Sequence, residues 1–254
     1  MIPDIPVLLL FTLIMIVSVY FQTVTGFGLS MIVMGLSGGL GVASIATIAS
    51  VVSLVGFVSS GIALRGTRKL DYALTGRLLA GMIPASILGV LLLEFLSESA
   101  ADLIEFLLGA VIAYGGISFA WRPEPLPRVS SKASFVTYGA IGGLLGGMFA
   151  IPGPPLIFHL YRQPMPMAEI RDQLILANAV LGLARTLFVG AQGQMTADVW
   201  VLTLICLPVV ALATIAGKRH PPRLSPTAMR RISCLVLVLM GASLMLPPLF
   251  HWLA

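Results

Sequence analysis

Charge is what this sequence has least of. Only 10% of its 254 residues are Asp, Glu, Lys or Arg, and there are two cysteines and three histidines. Each shortage excludes something. A chain this poor in charge, 58% hydrophobic and with a mean hydropathy of +1.02, lies far outside the composition of soluble domains. Cys206 and Cys234 stand isolated in apolar runs without metal-type spacing and read as packing residues. His159, His220 and His251 are scattered, so they supply neither a nucleophile–base pair nor a metal cluster, and no enzyme activity, metal or cofactor is expected. Alternating segments of about ten residues are missing, which argues for membrane helices rather than a barrel. A basic n-region is missing from Met1-Ile2-Pro3-Asp4-Ile5-Pro6, so the first segment is expected to stay in the mature protein. No Asp or Glu falls deep in an apolar run. Glu94, Glu105, Glu169, Asp172 and Asp198 all sit near segment ends, so a buried carboxylate relay is not evident.

What is present is a set of eight apolar blocks, at 6–40, 42–64, 73–96, 103–121, 134–161, 171–193, 197–217 and 230–252. Two of them are interrupted. The first breaks near 21–28 in Phe-Gln-Thr-Val-Thr-Gly-Phe-Gly, and the fifth near 147–155 in Gly-Met-Phe-Ala-Ile-Pro-Gly-Pro-Pro. Adding 125 to the residue number places Gly28 on Gly153, Ser30 on Pro155, Gly41 on Pro166, Ile45 on Ile170 and Ser53 on Asn178. The chain therefore reads as two related halves, each opening with a broken segment.

The basic loops fix the topology. If all eight blocks crossed, Arg65, Arg68, Lys69 and Arg77 would lie opposite Lys218, Arg219, Arg223, Arg230 and Arg231, against the positive-inside rule. Letting each broken block enter and leave on one side as a re-entrant hairpin puts both loops inside, with Arg122, Arg128, Lys132, Arg162 and Arg171. Glu94, Glu98, Asp102 and Glu105 then face outward. The expected fold is an all-α integral membrane protein with both termini periplasmic. It has two inverted repeats, each a re-entrant broken-helix hairpin plus three transmembrane helices. The repeats occupy residues 1–121 and 134–254, joined by a stiff cytoplasmic linker over 122–133 carrying Pro123, Pro125 and Pro127. A single bent spanning helix is the bland alternative for either broken block. The net charge of +5 is accounted for by the loops and calls for no nucleic acid.

Broken backbone at membrane depth is tolerated only inside protein or beside a wet cavity, so the breaks are candidate binding sites. The second limbs are expected to begin near Gly28 to Ser30 and near Pro154 and Pro155, with their N-termini toward the protein centre. Two facing helix N-termini make an anion site without Lys or Arg. Thr23, Thr25 and Ser30 add hydroxyl donors, and Gly26, Gly28 and Gly153 admit close backbone approach. The competing reading of these glycines is tight helix packing. Arg185, within the sixth block, must face the bundle interior or snorkel outward. Asn178, seven residues earlier and near the same helical face, is a better donor because it carries no permanent charge. Gln22 and Ser53 are weaker candidates, and a lone His159 is more often packed than functional.

The two breaks, Thr25-Gly26-Phe27-Gly28 and Gly146-Gly147 to Pro154-Pro155, each early in a four-block half, resemble those of the TauE/SafE family of membrane transporters over nearly the whole chain. The family's frequent Gly-Gly-Gly followed by Pro is replaced here by Gly-Phe-Gly-Leu-Ser and Ile-Pro-Gly-Pro-Pro. The resemblance implies a bacterial inner-membrane exporter of sulfite, sulfoacetate or another small organosulfonate or carboxylate anion. The expected partners are that anion and the lipid bilayer, and a homo-oligomer is compatible with the sequence. Anion uptake, channel-like conduction, an intramembrane enzyme and a scaffold subunit are the rival functions. A scaffold would not need paired breaks.

Overall fold

The computed structural model describes residues 4–39, 42–67, 70–120, 125–220 and 226–253. Gly41, Arg68, Lys69, Arg122, Pro123 and Arg223 lie outside the described residues, as do the side chains of Glu98 and Arg230. The described residues form ten helices: α1 (Ile5–Thr25), α2 (Leu29–Gly39), α3 (Ile45–Ala63), α4 (Tyr72–Ser99), α5 (Ala101–Ala120), α6 (Lys132–Phe149), α7 (Gly153–Tyr161), α8 (Met167–Ala191), α9 (Ala197–Arg219) and α10 (Pro226–Leu253). No strand occurs among the described residues. Polar caps start several helices where the apolar runs begin: Ser44 accepts from Thr47 N–H at 3.2 Å, Asp71 from Leu74 N–H at 2.9 Å and Ser131 from Ser134 N–H at 3.3 Å.

Among the described residues, seven helices are long and apolar enough to cross a membrane: α1, α3, α4, α5, α8, α9 and α10. Six of them are the expected spans. The seventh is the first limb of the first broken block, which ends at Thr25, inside the expected break at 21–28, and at 21 residues is long enough to cross by itself. It continues because nothing before Gly26 breaks helical geometry. Gly26 ends it with φ 91°, and Gly28 follows at φ 102°. The second break is at Ala150–Pro152, where Ala150 is left-handed at φ 55°.

Contacts fix the helix directions. Arg65 and Ala63, at the end of α3, accept from Lys218 Nζ at the end of α9, so one end of the bundle gathers basic residues. At the other end Glu94 accepts from Gln194 at 2.8 Å and Asp102 meets His251 at 3.1 Å. Helix α1 runs parallel to α9, with Thr12 against Cys206, Gly217 against Thr23 and the Tyr20 hydroxyl donating to His220 O at 2.7 Å. Helix α4 runs parallel to α6. Antiparallel pairs are α3 with α8, where Ser53 lies under Gly182, and α5 with α10, where Gly109 lies on Gly241. Asp4 and His251 therefore both lie at the acidic end.

Packing interleaves the two sequence halves. Helix α4 packs on α6 and α8, while α9 packs on α1 and α3. The α4–α6 contact is close along its length. Gly139, Gly143 and Gly147 recur every fourth residue on α6 and lie directly on the carbonyl oxygens of Leu78, Met82 and Ser86, while Gly81 and Gly89 of α4 lie on Val136 O and Leu144 O. A Cβ at any of the five would collide with backbone. The linker, beyond its first residues, is docked: Leu126 N–H donates to Arg162 O at 2.7 Å, and the Gln163 amide bonds Ser130 N–H and Oγ at 2.9 and 3.0 Å.

Candidate anion site between the broken helices

Each break is built by its own residues. At the first, Gly26 N–H closes α1 on Gln22 O at 2.7 Å. The Thr25 hydroxyl lies 2.9 Å from Phe21 O and 2.8 Å from Phe27 O, holding the turn, and the Phe21 and Phe27 rings meet edge-on at 5.9 Å. At the second, Ala150 N–H bonds Gly146 O at 2.9 Å, and α7 restarts at once on Gly153, Pro154 and Pro155.

The N-termini of α2 and α7 face a common pocket whose other walls are lined by α1, α3, α6 and α8. They are unequal donors. The first turn of α2 leaves the N–H groups of Leu29, Ser30 and Met31 without helical acceptors. In α7, Pro154 and Pro155 have no N–H, which leaves Gly153 as the free backbone donor of that turn.

Arg185 makes up the difference. Its side chain is 2% exposed and turned inward rather than snorkelling. Its Nε donates to Gly147 O at 3.0 Å, and its Nη1 reaches the hydroxyls of Ser50 at 3.3 Å and Ser53 at 3.4 Å. Those hydroxyls donate to Ala46 O and Ala49 O of their own helix, so they receive Arg185 on their lone pairs. Nη2 finds no protein acceptor among the described residues, and no carboxylate pairs with the guanidinium there. Glu94 is engaged with Gln192 and Gln194 instead. A buried, unpaired cation is costly unless an anion joins it.

Of the residues expected to bind substrate, Gln22, Gly28, Ser30, Ser53, Gly153, Asn178 and Arg185 line this pocket. Asn178 and Ser30 have no protein hydrogen bond there among the described residues. Gln22 is 5% exposed, and its Oε1 is buried without a partner. Four others point elsewhere. The Thr23 hydroxyl donates back to Val19 O at 2.8 Å, Thr25 is spent on the turn, Gly26 lies against Arg171, and Pro154 packs toward Gly115 of α5. His159 is buried, stacked on Tyr138 with ring centroids at 4.4 Å and met edge-on by Phe135 at 4.6 Å, which is the packed role. Ser50 and Gly147 O escaped the sequence reading. The available signal was that a buried Arg185 with no carboxylate in any span needs neutral acceptors, and Ser50 shares a helical face with Ser53.

Gly28 carries a direct test. Its φ of 102° disfavours any side chain, and a Cβ would lie 2.6 Å from the Phe21 ring. Gly28→Ala should therefore push the α2 N-terminus out of the pocket and reduce transport at least tenfold, while Gly66→Ala, also left-handed but in open space, leaves transport intact. Equal transport by both variants would mean that the α2 terminus does not contribute.

A family profile described as "Sulfite exporter TauE/SafE" matches residues 10–244. A Cupriavidus necator protein named "Probable sulfite/organosulfonate exporter TauE" is 50% identical over 234 residues, 92% of this chain and 91% of that protein. A Comamonas testosteroni protein named "Probable inner membrane transporter protein TsaS" is 29% identical over 182 residues, 70% of this chain and 73% of that protein. No solved structure matches the chain.

Proposed function

From a chain that belongs to the TauE/SafE sulfite exporter family, we infer a carrier that moves a small oxyanion, sulfite or a short organosulfonate, outward across the bacterial inner membrane by alternating access. It is a transporter, not an enzyme. The observation that carries the reading is Arg185, buried without a carboxylate partner in a pocket onto which two helix N-termini converge. An anion seated there meets the free Nη2 of Arg185, the Asn178 amide and the Leu29, Ser30 and Gly153 N–H donors. The same anion offsets the electrostatic penalty of the buried guanidinium, so binding and charge neutralisation are one event.

The two inverted repeats of 1–121 and 134–254 are supported by the helix directions. Equivalent helices α3 and α8 run antiparallel, as do α5 and α10, and α4 and α9 each carry an interior proline, Pro84 and Pro208. The basic end is cytoplasmic in this reading, which leaves both termini outside. The rocking bodies in this reading interleave the sequence halves, α1 to α3 with α9 against α6 to α8 with α4, and meet along the α3–α8 contact. The substrate sits where they meet, near the midplane. An outgoing anion in a negative-inside cell gains about 2.3 kcal/mol per charge per 100 mV, so export down the potential needs no coupling ion.

The test is a thermal-shift series on the detergent-purified protein with sulfite, sulfoacetate, isethionate, taurine, sulfate, acetate and chloride at fixed ionic strength. One oxyanion at 100 times its dissociation constant should stabilise the protein by about 2.7 kcal/mol. That shift should be lost in Asn178→Ala, which leaves the fold intact because Asn178 has no protein partner to strand. Stabilisation by none of these anions would sink the reading.

A further inference from the structure

The pocket does not end the polar surface of α8. Asn178 and Arg185 are seven residues apart, and Arg171 stands seven before Asn178. Each step of seven is about 10.5 Å of rise with about 20° of drift, so the three share one face. Two of them line the pocket. The third lies at the basic end, where the first break closes over it: a Cβ on Gly26 would lie 2.9 Å from Arg171 Cγ, and Gly28, two residues on, is pocket wall. The facing helix repeats the pattern. Ser53 of α3 accepts from Arg185, and Ser60, seven residues on, falls level with the turn of α8 between Arg171 and Asn178, because the two helices run antiparallel. Its hydroxyl is buried and has no partner.

Arg171 is held in place by its surroundings but not used up by them. The neighbouring Gln173 fixes this turn of α8 to α4 through Thr75 and through Asp71 O at 3.1 Å. The side chain is 41% exposed, and its Nε and Nη2 converge on a single oxygen of Asp172, at 3.0 and 2.8 Å. A cation this near a helix N-terminus gains nothing from the helix dipole.

We propose that Arg171 is an anion-docking residue at the basic mouth, with Asp172 as the counter-ion that arriving substrate displaces. The α3–α8 seam past Ser60 and Asn178 is then the route from that mouth to Arg185. This rests on the anion-carrier reading above. Arg171 sets the rate and concentration dependence of loading, whereas Arg185 holds the bound anion.

The experiment is sulfite uptake into inverted membrane vesicles, where the cytoplasmic mouth faces the medium, compared with right-side-out vesicles. Arg171→Gln, which keeps the packing stem against Gly26, should raise KM in inverted vesicles by roughly fivefold, with Vmax within about twofold, and flatten the salt dependence of KM. Asp172→Asn should do the opposite, lowering KM there by releasing Arg171. Neither variant should alter KM in right-side-out vesicles. Unchanged KM in both variants, with saturable transport by the unaltered protein, overturns the docking site and leaves the pocket standing. Absence of saturable sulfite transport in the unaltered protein removes the carrier reading itself.

Discussion

Arg185→Met should abolish anion transport and anion-dependent thermal stabilisation while leaving a protein that folds at least as well in the absence of anion. Methionine keeps most of the reach of the arginine stem and removes the charge. The serines are not stranded, because Ser50 and Ser53 donate to Ala46 O and Ala49 O without Arg185. Gly147 O loses its side-chain donor, a cost of about 1–3 kcal/mol. Set against that is the relief of a guanidinium buried without a carboxylate, and replacing buried charge by an apolar group of similar volume is often neutral or stabilising. Losing a charge-assisted contact to a bound ion removes about 2–5 kcal/mol, at least a thirtyfold loss of affinity. Arg185→Lys keeps the charge but cannot reach Gly147 O and both serines at once, so it should fall between. Retained transport in Arg185→Met would remove Arg185 from the site.

Gly143→Val should be the most damaging single change to assembly. The added side chain would meet Met82 O, a backbone atom that no rotamer change can move. Overpacking typically costs 1–3 kcal/mol, and a β-branched group against a carbonyl belongs at or beyond the top of that range, about 3 kcal/mol. Little monodisperse protein is expected by size-exclusion chromatography in detergent. The matched control is Ser18→Ala, at the equivalent position of the first half. Ser18 is fully buried in α1, with its hydroxyl on Ile14 O at 2.6 Å. Removing an oxygen whose bond is local to its own helix should shift Tm by no more than a few degrees. Comparable damage by both would mean that the glycine contact is not what joins α4 to α6.

Eight apolar blocks, two breaks and the family were legible because each leaves a local trace: run length, Gly and Pro at membrane depth, and a recurring spacing. The direction of Arg185 was not legible. Facing inward and snorkelling differ only in which neighbours exist, and Ser50 and Gly147 O come from helices far away in sequence. Thr23 and Thr25 were expected to add donors to the site but are turned back on α1, because a hydroxyl inside a helix can satisfy itself on the carbonyl four residues earlier. The exact end of α1 within the expected break was also hidden: of residues 21–28, Gly26 and Gly28 are the ones that take the left-handed backbone that ends a helix. Least legible was the exchange of α4 and α9. The repeat aligns them as equivalents, but the glycines that let α4 approach its neighbour so closely have no counterpart at Ile14, Ser18 and Gln22 of α1.

That exchange sets a timetable for synthesis. Leu78 meets Gly139, which emerges 61 residues later, whereas Thr12 meets Cys206, which emerges 194 residues later. At 5–20 residues per second, the α4–α6 contact becomes available after about 3–12 s and the α1–α9 contact after about 10–40 s. The body containing α4, α6, α7 and α8 is complete on the ribosome while α1 still waits beside the translocon for its neighbour. Whatever holds α1 in the bilayer during that interval, lipid or insertion machinery, acts on a helix whose final partner has not yet been made.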